Sequence, residues 1–186
     1  MMDLMRLLKY LEDSGVWVLR FKFKTRICIK IWTDSSDKTH RDGHGQYGLA
    51  FSLGSAIFHC RSVKIKQQTR HSTESEWVGV SEASAYRVWL SSFISTLGFS
   101  PDKRPTPIIY QDNLSTIWHA REDFGFARNK HMLVHKNYVK QGIDAGKQVI
   151  IHCDKPFSDM LTKVLSGVVT RRHMVAMGME KQDMGV

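Results

Sequence analysis

The stretch Ile27-Cys28-Ile29-Lys30-Ile31-Trp32-Thr33-Asp34 decides how the fold begins. Its isoleucines alternate with Cys28 and Lys30, and this period of two is typical of a strand with one buried face. The run leads directly into an acid. We therefore predict a strand over residues 27–31 that ends near Asp34 and presents a carboxylate at its carboxyl end.

The segments around this strand predict an alternation of strands and helices. In chain order we predict an amphipathic helix at 4–11, strands at 48–53 and 55–66, a long helix at 73–97, a strand at 107–111, a brief helix at 114–118, a helix at 131–145, a buried strand at 148–153 and a last helix opening at Ser158. Hairpin strands followed by alternating elements indicate one mixed sheet with helices on its faces, an α/β fold.

The long helix opens on Thr73-Glu74-Ser75-Glu76, which resembles a capping box. In such a box the third residue after the capping hydroxyl reaches back to a backbone N–H at the helix start. Glu76 stands three residues after Thr73, so we predict a structural role for Glu76. Glu74 is then the candidate for chemistry.

Composition favours a globular protein with a polyanionic partner. The 186 residues suit one well-packed domain, and 27 Lys+Arg against 18 Asp+Glu give a net charge of +9. Neutralising phosphates releases counterions, so nucleic acid is the favoured partner over a merely basic protein or a membrane-surface binder. We expect no membrane association, because the sequence has no apolar span and no basic amphipathic helix with an aromatic face. The first residues lack a signal-peptide pattern, so we expect an intracellular protein.

Four acids lie at predicted element boundaries, namely Asp34, Glu74, Asp112 and Asp159. Sites in open α/β sheets form beyond the carboxyl ends of strands, and neighbouring strands lie about 5 Å apart. Converging carboxylates suit hard cations such as Mg²⁺ or Mn²⁺, and two such ions can act on a phosphodiester. The alternative is that each acid only caps a helix or interacts with its dipole.

Five short motifs occur in order along the chain. They are Trp32-Thr33-Asp34, Lys66-Gln67-Gln68 with Ser72-Thr73-Glu74-Ser75-Glu76-Trp77, Tyr110-Gln111-Asp112-Asn113-Leu114-Ser115-Thr116-Ile117, Arg128-Asn129-Lys130-His131-Met132, and Ser158-Asp159-Met160-Leu161-Thr162-Lys163. Together they resemble the ribonuclease H domain that ends the polyprotein of copia-type LTR retrotransposons. The resemblance runs from about Leu7 to Gly178.

This resemblance implies a fold, an activity and a set of ligands. The fold is ribonuclease H-like, a five-stranded mixed sheet flanked by helices. The activity is hydrolysis of the RNA strand of RNA–DNA hybrids during reverse transcription, by a two-metal-ion mechanism with Mg²⁺ or, in its place, Mn²⁺. Its catalytic residues and metal ligands are Asp34, Glu74, Asp112 and Asp159. The expected location is cytoplasmic, in a virus-like particle, or nuclear.

The resemblance also divides the chain into three parts. Residues 1–20 look like the segment that closes a neighbouring reverse transcriptase domain, which is the expected partner in the polyprotein. Residues 21–179 are the ribonuclease H-like domain, and residues 180–186 are a tail. The pattern departs from the family at 34–37, where Asp-Ser-Ser-Asp replaces Asp-Ala-Asp-Trp, and at 135–137, where His-Lys-Asn replaces Arg-Tyr-His. We expect these departures to affect substrate binding more than catalysis.

Polar residues near the acids are candidates for substrate binding. Basic and amide side chains before the long helix could contact phosphates or a groove, and Gln111 and Asn113 could meet 2′-hydroxyls. The set before the helix comprises Arg61, Lys64, Lys66, Gln67, Gln68 and Arg70. The alternatives are a charged edge strand for that set and a helix N-cap for Asn113. Two other functions stay open, a non-catalytic hybrid- or duplex-binding module and an integrase-like DNA nuclease.

Overall fold

The computed structural model describes residues 2–22, 26–100, 103–122, 130–154 and 156–182. Its strands are β1 Trp17–Leu19, β2 Lys30–Ser36, β3 Gln46–Ser52, β4 Ile57–Lys64, β5 Ile108–Gln111, β6 Val149–His152 and β7 Met179–Lys181. Its α-helices are α1 Met2–Ser14, α2 Ser72–Thr96, α3 Leu114–Arg121, α4 Leu133–Asp144 and α5 Gly167–Ala176. Short 3₁₀ segments include Lys130–Met132 and Phe157–Leu161. Arg128 and Asn129 of the fourth motif, and residues 183–186 of the predicted tail, lie outside the described residues.

Five strands form the main sheet in the order β4-β3-β2-β5-β6. The hairpins β2–β3 and β3–β4 are antiparallel, whereas β2–β5 and β5–β6 are parallel because helices carry the chain between those strands. The predicted five-stranded mixed sheet flanked by helices is therefore confirmed. Its core is built from sheet residues such as Ile31, Leu49 and Ile109 against Trp77 of α2, all of them fully buried.

Two glycines allow other elements to approach the sheet closely. At Gly79 of α2, an added Cβ would stand 2.6 Å from Ser35 Oγ and 2.8 Å from Thr33 Oγ1. At Gly48 of β3, it would stand 2.6 Å from Leu161 Cβ and 2.9 Å from the Ser158 carbonyl oxygen. Gly48 pairs with Asp34 in the β2–β3 ladder. The absence of a side chain at these positions therefore lets α2 and the Phe157–Leu161 segment lie against the strand that carries Asp34.

Several element boundaries differ from the sequence prediction. Strand β2 begins later than predicted, at Lys30, and ends two residues beyond Asp34. The predicted buried strand at 148–153 is wrong in its burial, because β6 is an edge strand in which only Ile150 is buried. The predicted last helix at Ser158 is a short 3₁₀ segment, and α5 begins separately at Gly167.

A small second sheet links the segment that follows α1 to the segment that follows α5. Strand β1 pairs antiparallel with β7, so Trp17 lies opposite Lys181. The pairing joins the segment predicted to close a reverse transcriptase to the predicted boundary with the tail. The division at residues 20 and 179 stays a prediction. Within the described residues, no helix combines the length and the apolarity needed to cross a membrane.

Candidate metal centre

Two parallel strands bring the first two acids to one edge of the sheet. Asp34 lies near the end of β2, and Asp112 follows β5 directly. The pairing of Trp32 with Tyr110 sets the register, so the two strands end side by side. Asp34 is fully buried, and Oδ1 of Asp112 is buried without a hydrogen-bond partner among the described residues. The strand-end argument from sequence therefore located this pair correctly.

The third carboxylate of the cluster comes from the first turns of α2. Oxygens of Asp34, Glu76 and Asp112 all lie within 4.8 Å of one another. Gln111 holds Glu76 in place by donating from Nε2 to Glu76 Oε2 over 3.1 Å. Glu76 is only 5% exposed, so its carboxylate faces the other two acids rather than solvent.

Glu74 points away from this cluster, which corrects the sequence assignment. Helix α2 has His71 as its N-cap, two positions before the predicted cap Thr73, and the His71 side chain makes no capping hydrogen bond. Glu74 is then the third helical residue, and its Oε2 accepts a hydrogen bond of 2.7 Å from the backbone N–H of Arg70. His131 Nε2 lies 3.4 Å from the same oxygen. Glu74 thus performs the capping function predicted for Glu76, and Glu76 takes the place predicted for Glu74.

Asp159 is connected to Asp34 of the cluster through the side chain of Lys163, which contacts both carboxylates. Lys163 Nζ lies 2.9 Å from Asp34 Oδ1 and 3.0 Å from Asp159 Oδ1. Thr162 also donates from its hydroxyl to Asp34 Oδ2. Sequence reasoning gave no role to Thr162 or Lys163, although an acid and a lysine four residues apart are a recognisable pair on a helical turn.

Burial dominates the electrostatics of the acids. It raises the pKa of Glu76 well above its usual range, and the negative charges of Asp34 and Asp112 raise it further. It also raises the pKa of Asp34, against the lowering effect of Thr162 and Lys163. The pKa of Asp112 is raised by burial too. The protein therefore keeps several carboxylates where their charged forms are costly, a pattern that occurs at functional sites.

The donor set fits a hard divalent cation. Carboxylate oxygens are the ligands that Mg²⁺ and Mn²⁺ prefer, and three of them converge here. The buried Asp112 Oδ1 has no hydrogen-bond partner among the described residues, and leaving such an oxygen unpaired is costly. A coordinated cation would satisfy it.

The predicted substrate-binding residues fall into two groups. Gln111 is fully buried, and its Oε1 accepts hydrogen bonds from the backbone N–H groups of Asp112 and Asn113 over 2.7 and 3.0 Å. Its predicted contact with substrate is therefore wrong, because the amide is buried and hydrogen-bonds to Glu76 and to the backbone after β5. Asn113 is the N-cap of α3, where its side chain accepts from the Thr116 N–H over 3.0 Å. A further contact from Asn113 to substrate stays a prediction.

The basic residues before α2 lie at the surface. Lys64 forms an ion pair with Asp42 at the end of β4. Gln67 Nε2 lies 3.0 Å from His135 Nε2, which joins this segment to α4. The exposed residues of the predicted set are Lys64, Lys66, Gln67, Gln68 and Arg70, and Arg61 is partly buried. Their contact with nucleic acid stays a prediction.

Comparison with known proteins finds relatives of the chain among transposon polyproteins. No family model matches the chain. The retrovirus-related Pol polyprotein from transposon RE1 of Arabidopsis thaliana is 26% identical over 166 residues, which cover 88% of this chain and 11% of the polyprotein. The polyprotein from transposon TNT 1-94 of Nicotiana tabacum is 26% identical over 179 residues, 84% of this chain and 13% of that protein. The chain thus spans about an eighth of the length of the relatives that it matches.

Solved structures identify the fold. LC11-RNase H1, isolated from compost, superposes with a TM-score of 0.53 at 13% identity and covers 73% of this chain and 92% of that one. The fold is that of ribonuclease H. The prototype foamy virus protease–reverse transcriptase gives 0.54 at 11% identity, over 78% of this chain and 22% of that one. The predicted resemblance to a ribonuclease H domain of a retrotransposon polyprotein is therefore confirmed, with transposon Pol polyproteins as the chain's homologues.

Proposed function

We propose that this ribonuclease H-fold chain is a metal-dependent endonuclease that hydrolyses the RNA strand of RNA–DNA hybrids during reverse transcription of a transposon. The observation that carries the proposal is the convergence of Asp34, Glu76 and Asp112 at the carboxyl ends of two parallel strands. A solved relative of the same fold, LC11-RNase H1, was determined in complex with an RNA/DNA hybrid, at a TM-score of 0.52.

The residues that would hold Mg²⁺ or Mn²⁺ are Asp34, Glu76, Asp112 and Asp159. Two such ions, when bound, would supply Lewis acidity and a water of lowered pKa for attack on a phosphodiester. The chain's own contribution is placement. Gln111 orients Glu76, and its Oε1 fixes the backbone that follows β5. Gly79 lets α2 approach close enough for Glu76 to meet Asp34.

Charge supports a nucleic-acid substrate. The chain carries a net charge of +9, and the exposed side chains of Lys66 and Arg70 lie close in sequence to the start of α2, which carries Glu76. Basic contacts to phosphates give affinity without reading base sequence. Selection of the RNA strand then requires a contact to the 2′-hydroxyl, which is the group that distinguishes RNA from DNA.

A reverse transcriptase domain is the proposed neighbour of this chain in the polyprotein. Helix α1 exposes an apolar stripe of Leu4, Leu8 and Leu11, each more than half exposed. An isolated domain gains nothing from such a stripe, whereas a preceding domain of the same polyprotein could cover it. Co-purification of separately expressed polymerase and ribonuclease H segments, lost on Leu8→Asp, tests this neighbour.

The test of the activity is a gel that compares three labelled substrates of one sequence: RNA–DNA hybrid, duplex DNA and single-stranded RNA, with Mg²⁺ and with chelator. We expect cleavage of the hybrid RNA alone, only with metal. Glu76→Gln is the matched inactive control. Equal cleavage of duplex DNA would favour an integrase-like nuclease, and retention of hybrid without cleavage would favour a binding module.

A further inference from the structure

A lysine ammonium lies between two acids of the candidate metal centre. Nζ of Lys163 makes contacts of 2.9 Å to Asp34 Oδ1 and 3.0 Å to Asp159 Oδ1. The Asp34 side chain is fully buried and that of Asp159 is 18% exposed, whereas the Lys163 side chain is 45% exposed. The ammonium therefore reaches into the cluster from the solvent side.

This position conflicts with a bound cation. Mg²⁺ binds carboxylate oxygens at about 2.0–2.1 Å and demands a nearly complete octahedron of ligands. Asp34 Oδ1 already accepts from the ammonium, so a cation on that oxygen would stand next to another positive charge in a partly desolvated site. Like charges at such a distance repel strongly, because screening by water is weak there.

The lysine has room to leave. Its backbone is fixed, since the N–H groups of Lys163 and Thr162 both donate to the Asp159 carbonyl, over 2.9 and 3.2 Å. Only the four-carbon side chain has to swing, and its half-exposed position opens toward solvent. Withdrawal therefore needs a change of rotamer rather than a rearrangement of the fold.

We propose that Lys163 is a built-in competitor of the metal: its ammonium neutralises Asp34 and Asp159 in the metal-free protein and is displaced when a divalent cation binds there. This inference rests on the proposed function, since it assumes that the acids bind metal. Lys163 is a positioning residue by this account. It stabilises the carboxylate cluster before metal arrives and lowers the affinity for metal.

The experiment compares Lys163→Met with the unaltered chain. The control is Lys140→Met, which removes the same charge from another Asp–Lys pair four residues apart, at 3.3 Å on α4. Calorimetry with Mn²⁺ and with Mg²⁺ measures affinity, and thermal unfolding in chelator measures metal-free stability. We expect Lys163→Met to lower the metal-free Tm by about 2–4 °C. We expect it to tighten metal binding by about tenfold, equivalent to about 1.4 kcal/mol.

A merely structural lysine would give a different pattern. Its loss would lower the metal-free Tm and leave metal affinity unchanged or weaker, which overturns the proposal. Lys163→Arg keeps a charge at the site and should restore both the stability and the weaker affinity. Lys140→Met should leave metal affinity as it is in the unaltered chain.

A second measurement avoids substitution altogether. Reductive methylation of the unaltered chain, read by mass spectrometry, should label Lys163 faster when Mn²⁺ is added, because the ammonium is released. An unchanged rate at saturating Mn²⁺ overturns the proposal. If neither the unaltered chain nor Lys163→Met binds metal, the proposed function fails as well. If the unaltered chain binds and Asp34→Asn does not, only the role of Lys163 is in question.

Discussion

Separate replacement of Glu76 and of Glu74 by glutamine should change metal-free stability in opposite directions, which distinguishes the roles of the two glutamates. The oxygens of Asp34, Glu76 and Asp112 lie within 4.8 Å of one another. Coulomb's law gives about 0.9 kcal/mol of repulsion per pair at that distance in water and about 3.5 kcal/mol at an effective dielectric constant of 20. Because burial raises the Glu76 pKa, protonation already relieves part of this repulsion. We therefore expect Glu76→Gln to raise metal-free stability by about 1 kcal/mol, or about 2–4 °C in Tm.

Activity should move the other way for Glu76. Substituting a residue that only supports a metal ligand costs about 10–100-fold, so loss of a carboxylate in the cluster should cost at least about 100-fold in cleavage rate. Glu74→Gln should keep cleavage within a few-fold, because its contacts are the Arg70 N–H and His131. It should lower stability by about 0.3–1 kcal/mol, the usual value of a charge at a helix N-terminus.

Chevron or thermal unfolding in chelator and single-turnover cleavage of a labelled hybrid give the two readouts. The reasoning is refuted if Glu74→Gln abolishes cleavage while Glu76→Gln cleaves normally. It is also refuted if Glu76→Gln lowers metal-free stability by as much as Glu74→Gln does, since the acids would then not be in repulsion.

Three further results are expected. Metal-free stability should fall as the pH rises above about 4.3, the pKa of Glu in the unfolded chain. The reason is that the pKa of Glu76 is raised in the folded state, which therefore binds more protons than the unfolded state above that pH. Thermal unfolding from pH 4 to 8 should show a shallower fall in Tm for Glu76→Gln. Mg²⁺ and Mn²⁺ should support cleavage and Ca²⁺ only binding, since Ca²⁺ takes more ligands at longer distances; full cleavage in chelator would contradict the metal dependence. Affinity for the hybrid should fall steeply with salt, and the slope of log K against log salt concentration should be about −0.9 per phosphate contact. Lys66→Ala should make that slope shallower if the Lys66 side chain contacts a phosphate. An affinity of the unaltered chain that does not change with salt would exclude this mode of binding.

The sequence predicted those parts of the site that depend on strands. Alternation up to Asp34 and the short apolar run before Asp112 located both acids at strand ends, and parallel pairing of β2 and β5 then brought them together. The fold followed from the order of elements and from the motifs. The edge position of β6 was not predictable, because the apolar run Val149–Ile151 is equally compatible with a central strand and with a half-covered edge strand.

The choice between Glu74 and Glu76 could not be made from the sequence. Successive helical residues are turned by about 100°, so an error of one or two residues in the helix start moves an acid to another side of the helix. Polar residues from His71 to Thr73 offered several plausible starts, and helix ends are uncertain to that degree. Lys163 was missed for a different reason, since a long flexible side chain can reach many partners that are remote in sequence.

Because Gly48 and Gly79 allow close packing against the strand that carries Asp34, substitutions at these two positions are candidates for inactivating mutations in copies of a transposon. Alanine at either position would place a Cβ under 3 Å from Ser158 and Leu161 or from Thr33 and Ser35. A single base change turns a glycine codon into an alanine codon. A copy could therefore keep every acid and still lose the alignment of the carboxylate cluster. Inventories of intact copies that count only the acidic residues will overestimate how many keep that alignment.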